Sequence, residues 1–258
     1  MHWQADPVAL QVGGFALRWY PLLAVCAFLS AYQLMRWCYA RDGYPLQSID
    51  RLIVPMVAGA LLGARLVHCL GFEPEHYLRN PIEILDMRQG GVSLHGALLV
   101  MLPLFVWLHR TGHPGLLAAL DRGTLAAAFG LALIRIGNLF NSELVGISTG
   151  LPWGVVFDRI DQVARHPVAL YEAIAFLGEF GLLLGFYLRG WSARRDGLLF
   201  VTGIGAFALV RLALDPLRAF ESPSRLPFGT TGQWFTLIVL LMAGGTVWRG
   251  RRPARVSA

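Results

Sequence analysis

Long, uninterrupted apolar blocks constrain this chain more than any other feature. Seven of them stand out, each near the roughly 20 residues that a helix needs to cross the hydrocarbon core of a bilayer. The core of a soluble domain does not need blocks of this length. The pattern therefore predicts an all-α integral membrane protein with about seven transmembrane helices. The predicted spans are 17–39, 52–72, 92–108, 124–140, 167–188, 197–217 and 230–248.

Composition excludes the common soluble classes. Of the 258 residues, 55% are hydrophobic and 15% are charged, whereas a soluble domain is about 25% charged. All 22 basic residues are arginine, and the formal net charge is +6. A nucleic-acid-binding protein would concentrate such charge on one face of a soluble domain, but here the arginines lie mainly between apolar blocks and in the tail. We therefore expect the lipid bilayer as a partner and no nucleic acid.

The three cysteines form no CxxC pair and lie in or beside apolar blocks. This placement predicts neither a disulfide framework nor a metal site, and nothing in the sequence indicates a cofactor. The first apolar block has no basic segment before it and is too long for a typical signal peptide. We interpret it as a permanent helix, and we expect the whole chain to form one membrane-embedded domain.

The distribution of arginines predicts the orientation. Of the 22 arginines, 12 lie in connections or at span ends on one side, including the tail 249–258, seven lie likewise on the other side, and three (Arg65, Arg135 and Arg211) lie inside predicted spans. Because positive charge accumulates in cytoplasmic connections, the C-terminus is predicted to be cytoplasmic and the N-terminus to lie outside. The segment 141–166 then becomes an outer, periplasmic loop, and its glycines predict an irregular conformation.

The polar residues of the spans all fall toward the outer end of their helices. A charged side chain at the centre of a membrane costs about 2.5–3.5 kcal/mol on insertion scales, so such residues usually line a cavity or have partners. Their shared depth predicts a polar cavity toward the outer leaflet. Several arginines around one cavity suit a phosphate group, and acyl chains could reach it from the bilayer, which indicates a phospholipid substrate. The polar residues are Tyr20, Arg65, His68, His95, Arg135, Asn138, Asn141, Glu143, His166, Tyr171, Glu172, Arg211, Asp215, Arg218 and Gln233.

Two alternatives are open for the end of the sixth span. Arg211 and Asp215 are four residues apart and share a helix face, so they form either a self-neutralising ion pair or part of a reactive site. Pro216 disfavours helical geometry in the residue before it, so the helix is predicted to kink or end there. Arg218 then belongs either to the site or to the membrane interface.

Three further residues and one motif each allow a structural and a functional interpretation. His95 follows glycines that would permit a broken helix beside a cavity, and it is either a packed core histidine or a reactive one. His68 and Glu179 are interpreted as structural, with Glu179 as a hydrogen-bond partner between helices. The sequence GISTG at 146–150 matches a GxSxG pattern, but it lacks the strand-and-helix context of a nucleophile elbow, so we interpret it as a glycine-rich loop.

The segment RIGNLFNSELVG at 135–146 resembles the signature of the prolipoprotein diacylglyceryl transferase family. Other motifs agree in the same order along nearly the whole chain. They are RWY at 18–20, GAR at 63–65, GGVSLHG at 90–96, RHP at 165–167 followed by YE at 171–172, and GQ at 232–233.

This resemblance implies an enzyme of the bacterial inner membrane. It would move a diacylglyceryl group from phosphatidylglycerol to the lipobox cysteine of a prolipoprotein and release glycerol phosphate. Arg135 and Arg211 would stabilise charge on the departing phosphate. His95 or Asp215 would assist thiol deprotonation, since the thiolate is the nucleophile. The substrate-binding residues would be Tyr20, Arg65, Asn138, Asn141, Glu143, His166, Tyr171, Glu172, Arg218 and Gln233.

The chain departs from the family pattern near the expected chemical centre. Phe207 stands where the family usually has tyrosine, Asp215 replaces a glutamate and precedes an unexpected Pro216, and the histidine motif ends in Ala97. A paralogue with the same phospholipid donor and another acceptor is therefore an alternative. A lipid transporter would need a polar path to the inner leaflet, which the spans do not offer. A structural scaffold would not explain the arginines inside the spans.

Overall fold

The computed structural model describes residues 1–71, 74–85, 94–110 and 114–219, and these residues are mostly helical. The helices, in chain order, are α1 (Trp19–Arg41), α2 (Gln47–Gly71), α3 (Pro74–Arg79), α4 (Leu94–Arg110), α5 (Leu116–Phe140), α6 (Val168–Leu188), α7 (Trp191–Arg194) and α8 (Leu198–Leu214). One 3₁₀ turn, Pro81–Leu85, follows α3, and another, Asp215–Leu217, follows α8.

Within the described residues, 5 helices are long and apolar enough to cross a membrane. They are α1, α2, α5, α6, and α8 with its 3₁₀ turn. Helix α4 has 17 residues and coincides with the predicted third span. The chain is therefore a multi-pass integral membrane protein, as predicted. The predicted span 230–248, Gln233 and the tail 249–258 lie outside the described residues.

Helix α5 begins at Leu116, so the predicted start of this span at 124 was wrong. The prediction treated Asp121 and Arg122 as part of a polar connection, but both are buried inside the helix. The Asp121 carboxylate accepts hydrogen bonds from the backbone N–H groups of Gly197 (2.9 Å) and Phe200 (2.8 Å). Backbone N–H groups at the start of a helix have no acceptor within the helix itself, and Asp121 supplies one for these two groups of α8. A long-range partner thus makes a charge acceptable where the local pattern indicated a helix boundary.

Five short strands accompany the helices. They are β1 (His2–Trp3), β2 (Val8–Val12), β3 (Phe15–Arg18), β4 (Val155–Phe157) and β5 (Ala164–Arg165). Strands β2 and β3 form an antiparallel hairpin, while β4 pairs in parallel with β1 and antiparallel with β5. Within the segment 141–166, predicted to be irregular, β4 and β5 account for five residues, and turns, bends and isolated bridges make up much of the rest. The pairing of β4 with β1 joins residues that are far apart in the sequence, so no local pattern reveals it.

The described chain divides into two compact units. The first contains Met1–Met35 and the described residues from Leu120 onward, and the second is Arg36–Ala119. In the first unit, α5, α6 and α8 meet at Gly203, where an added Cβ would lie 2.3 Å from the side chain of Thr124 and 3.2 Å from that of Leu183. Glycine is required there because the helices approach closely.

In the second unit, α2 and α4 cross at Gly63 and Gly96. A Cβ on Gly63 would lie 2.3 Å from the carbonyl oxygen of Gly96, and a Cβ on Gly96 would lie 2.1 Å from that of Gly63. Small residues at such a crossing let two membrane helices approach closely. Packing thus accounts for the glycine after His95, which the sequence alone left open.

Candidate active site

A buried carboxylate, Glu172, lies at the centre of an ion-pair cluster in the first unit. Its side chain on α6 is 0% exposed, and Arg135 of α5 approaches its Oε2 with Nε at 2.6 Å. Arg211 of α8 reaches its Oε1 with Nη1 at 3.5 Å, and Arg218 contacts the same oxygen. Three arginines from three parts of the chain therefore converge on one carboxylate.

Asp215 forms the second anionic point of this cluster. Arg211 Nη2 lies 2.7 Å and Arg218 Nε 3.6 Å from its Oδ1. Of the two alternatives that the sequence left open, the ion pair is present, but it is not isolated, because Arg211 also contacts Glu172. Helix α8 ends at Leu214, as Pro216 predicted, although Asp215 itself keeps helical angles of φ −56° and ψ −40°.

Backbone pairing holds Arg218 in the cluster. After the 3₁₀ turn, Arg218 becomes extended and forms a β-bridge with Gly146. Gly146 also donates its N–H to the carbonyl oxygen of His166 at 2.9 Å. A Cβ at Gly146 would lie 2.5 Å from the Cβ of His166 and 2.7 Å from the carbonyl oxygen of Leu217. The segment after α5 therefore joins the start of α6 to the end of α8, and only glycine fits at the crossing.

A chain of amide and carboxylate groups leads from Arg135 toward the surface. Arg135 Nη1 donates to Asn138 Oδ1 at 2.9 Å, and Asn138 Nδ2 donates to Glu143 Oε2 at 2.7 Å. Asn141 Nδ2 donates to the other oxygen of Glu143 at 3.2 Å. Ser142 has a positive φ of 55°, a strained conformation for a residue with a side chain. The signature segment thus forms a tight, specific turn beside the cluster.

Aromatic residues pack around the cluster. The ring of Phe176 lies 6.0 Å from the Arg135 guanidinium carbon and stacks on Phe207 with centroids 5.8 Å apart. Tyr20 lies against Gly137, where a Cβ would come within 3.0 Å of its ring. His166 Nδ1 and the Tyr171 hydroxyl are 3.4 Å apart. Phe207 therefore offers a packing surface for the arginine-bearing region in place of a hydroxyl.

The outer loop adds an exposed ion pair. Arg165 Nη2 lies 2.5 Å from Asp161 Oδ2, and this hydrogen bond holds the pKa of Asp161 below its usual range. In the same way, hydrogen bonds from His2 and Gln4 lower the pKa of Asp158. These contacts fasten β4 and β5, and hence the loop that carries Gly146, to the rest of the first unit.

The charges of the cluster suit an anionic ligand. Its described members are three guanidinium groups and two carboxylates, which leaves one excess positive charge when all are ionised. Arginine is always protonated in proteins, and its five N–H donors fit phosphate oxygens. A phosphodiester with a single negative charge would neutralise the site.

Two of the predicted site residues, Arg65 and His95, belong to the second unit. Arg65 Nη2 and Nε donate to the carbonyl oxygens of Glu83 at 2.7 Å and Ile84 at 2.9 Å. His95 is at the start of α4, and its side chain is outside the described part of the structure. Sequence reasoning missed Asp121 because its partners lie far along the chain.

Glu179 differs from its prediction. It is buried on α6, but no described residue forms a hydrogen bond with its Oε2. The expected partner on a neighbouring helix is therefore not found among residues 1–71, 74–85, 94–110 and 114–219.

The fold and the cluster define a multi-pass membrane protein with a buried, arginine-rich site. A family model described as prolipoprotein diacylglyceryl transferase matches residues 7–249. The chain belongs to this family.

Full-length relatives agree with this assignment. A phosphatidylglycerol–prolipoprotein diacylglyceryl transferase of Tolumonas auensis is 38% identical over 93% of this chain and 94% of its own. A protein of the same name from Chloroherpeton thalassium is 34% identical over 98% of this chain and 96% of its own. Another, from Solidesulfovibrio magneticus, is 36% identical over 93% of both chains.

Proposed function

We propose that this protein transfers the diacylglyceryl group of phosphatidylglycerol to the lipobox cysteine of prolipoproteins in the bacterial inner membrane. The observation that carries the proposal is the cluster of Arg135, Arg211 and Arg218 around Glu172 and Asp215. It supplies one excess positive charge inside a membrane protein of this family, and the phosphate of phosphatidylglycerol carries one negative charge.

The proposed reaction exchanges one bond for another. The cysteine sulfur forms a bond to the terminal carbon of the diacylglyceryl group while the bond between that carbon and the phosphate oxygen breaks. Glycerol phosphate leaves with the electron pair, and the thiol proton passes to a base. Negative charge grows on the leaving phosphate, so preorganised guanidinium groups lower the barrier.

Arg135 and Arg211 are proposed to bind the phosphate. Arg135 is held by Glu172 and Asn138, while Glu172 and Asp215 hold Arg211. Fixed guanidinium groups need little rearrangement when the transition state forms, which is the basis of electrostatic preorganisation. The amide chain of Asn138, Asn141 and Glu143 would bind the polar end of the headgroup.

The contacts of Asp215 support an anchoring role rather than proton transfer. Its Oδ1 faces both Arg211 and Arg218, so these ion pairs already occupy that oxygen. We therefore assign the thiol proton to His95, because histidine is the side chain that most often serves as a general base. Full turnover in a His95→Gln variant would remove this assignment.

The remaining topological features are proposed on the same basis. Seven helices, an outer N-terminus and a cytoplasmic tail would place the segment 141–166 on the periplasmic side, where secreted prolipoproteins arrive. The positive-inside distribution of arginine supports this orientation. The whole chain would then act as one membrane-embedded transferase.

Purified protein in detergent, supplied with phosphatidylglycerol and a lipobox peptide, tests the function. Released glycerol phosphate and peptide mass are measured together. A peptide heavier by one diacylglyceryl group is expected. Glycerol phosphate without a modified peptide would indicate another acceptor, the alternative that the missing hydroxyl at Phe207 favours. No release would contradict the enzymatic role.

The phosphate-binding role has its own variant. Arg135→Gln removes a guanidinium group from the cluster. We expect kcat/KM to fall by about 100-fold or more, while the purified variant keeps its fold. Arg159→Gln is the matched control, because Arg159 is an exposed arginine of the outer loop. Unchanged turnover in Arg135→Gln would show that this arginine does not serve the headgroup.

A further inference from the structure

The segment Pro74–Leu85, called here the connector, exposes three large apolar side chains. Leu78, Ile82 and Leu85 are 71%, 84% and 81% exposed. For comparison, Leu62 and Leu66 on the membrane helix α2 are 57% and 44% exposed. The connector therefore presents apolar side chains at least as openly as a helix surface that faces lipid.

The connector is amphipathic. Ile82 and Leu85 are three positions apart in the 3₁₀ turn, where side chains at i and i+3 align, and Leu78 lies four positions before Ile82, in α3. Polar residues occupy other positions, and the His76 ring pairs with Glu83 across the two short helical turns at 2.7 Å. Large apolar patches that are open to water are uncommon on soluble surfaces, so this surface calls for an apolar partner.

Arg65 holds the connector against the end of α2. The guanidinium donates to the carbonyl oxygens of Glu83 and Ile84 in the 3₁₀ turn, which are among the groups that a short helix leaves unsatisfied at its end. The buried ring of Tyr77 lies 5.1 Å from the Arg65 guanidinium carbon and 6.4 Å from the His68 ring. The connector is thus fixed by side chains of α2.

The position of the connector along the chain identifies the partner. Helix α2 has 25 residues, a length of about 37 Å, whereas the hydrocarbon core is about 30 Å thick. A helix of this length extends beyond the hydrocarbon core, which allows its end at Gly71 to lie in the headgroup region, and the connector begins at Pro74. The exposed leucines of α2 continue up to Leu70, so the lipid-facing surface runs along the chain directly into the connector.

We propose that the connector lies in the headgroup region of the bilayer and inserts Leu78, Ile82 and Leu85 into the acyl boundary, with Arg65 as its positioning residue. Interfacial helices bind membranes in this way, with the apolar face in the lipid and the polar face in water. The lipid acts here as a surface and not as a substrate, so the proposal is independent of the transferase reaction.

Nitroxide labels in reconstituted protein test the insertion. Single cysteines replace Ile82, Leu85 or, as a polar control, Glu75, in a Cys26→Ala background, because Cys38 and Cys69 are fully buried. Leu62→Cys is the lipid-facing reference. In vesicles of phosphatidylglycerol and phosphatidylethanolamine, collision rates with oxygen and with a water-soluble nickel chelate are compared. We expect severalfold higher oxygen-to-nickel ratios at 82 and 85 than at 75, approaching the ratio at 62.

Two results would overturn the insertion. Labels at 82 and 85 that match the control at 75 would place the connector in water. Labels shielded from both reagents would mean that a protein partner or a second copy covers it.

The role of Arg65 is measured separately. Arg65→Gln should lower the oxygen-to-nickel ratio at 82 and leave the ratio at 62 unchanged. Arg65→Lys retains a donor and serves as the milder variant if the glutamine variant does not fold. Unchanged ratios at 82 in both variants would remove the positioning role.

Discussion

Two glutamates on the same helix, Glu172 and Glu179, have opposite surroundings. They are seven residues apart, so they share a face of α6 and are separated by about 10 Å along its axis. Glu172 is 0% exposed and contacts three arginines. Glu179 is 7% exposed, and none of the arginines that pair with Glu172 forms a described ion pair with it. The comparison teaches that burial of a carboxylate does not by itself indicate a functional site. The position of the neighbouring arginines distinguishes the two glutamates.

The largest effect is expected for Glu172→Gln. A neutral side chain would leave Arg211 and Arg218 with Asp215 as their described anionic partner, and Arg135 with the side chain of Asn138. Removing one member of a buried ion pair costs roughly 3–5 kcal/mol, so we expect strong loss of thermal stability together with loss of turnover. Thermal unfolding in detergent and the glycerol phosphate assay measure both. A stable, active variant would show that Glu172 does not hold the cluster together.

The next effect concerns a third buried carboxylate, Asp121, whose partners are backbone groups. Gly197, the N-cap residue that precedes α8, has a φ of 86° and no side chain to cap the helix, so Asp121 supplies the acceptor from α5. Loss of such a cap costs about 0.5–2 kcal/mol. We expect Asp121→Ala to lower stability by that amount and turnover only slightly.

A contrasting result for Asp121 would sharpen the comparison. Turnover could fall as far in Asp121→Ala as in Glu172→Gln while KM stays unchanged. This result would mean that the start of α8 controls the placement of Arg211 at the other end of the helix. Asp196→Ala is the control, since Asp196 is an exposed carboxylate next to the same helix start.

The smallest effect is expected at Glu179. Burying a polar group without a hydrogen bond costs about 1–3 kcal/mol in protein mutational data, so Glu179→Leu should leave stability unchanged or raise it by about 1 kcal/mol. Thermal unfolding beside Glu172→Leu gives the direct contrast. A loss of stability as large as that of the Glu172 variant would end the distinction between the two carboxylates.

Much of the site could be read from local sequence. Arg211 and Asp215 pair because helical spacing brings positions i and i+4 together, and Pro216 ends α8 because a proline cannot continue the backbone hydrogen bonds of a helix. The signature segment that contains Arg135 and Asn138 also carries its own short-range contacts. These features depend on neighbours within one or two turns, which the sequence displays directly.

Other features depend on partners far along the chain. Asp121 looked like part of a polar connection because its acceptor role requires Gly197 and Phe200. The pairing of β1 with β4 and the crossing at Gly146 likewise join distant segments. Arg65 was predicted to bind substrate, which stays a prediction, and no local pattern reveals that it donates to the carbonyl oxygens of Glu83 and Ile84.

The sequence by itself determined that this chain is a multi-pass membrane protein and which family it belongs to, because hydropathy and motif spacing are properties of contiguous residues. Tertiary structure decided which charges that are distant in the sequence meet. Glu172 became the centre of the cluster and Glu179 did not, although both are buried glutamates on one helix face. The reason is physical: ion pairing acts over a few ångströms, and only the folded chain brings α5, α8 and the extended Arg218 to that distance from Glu172.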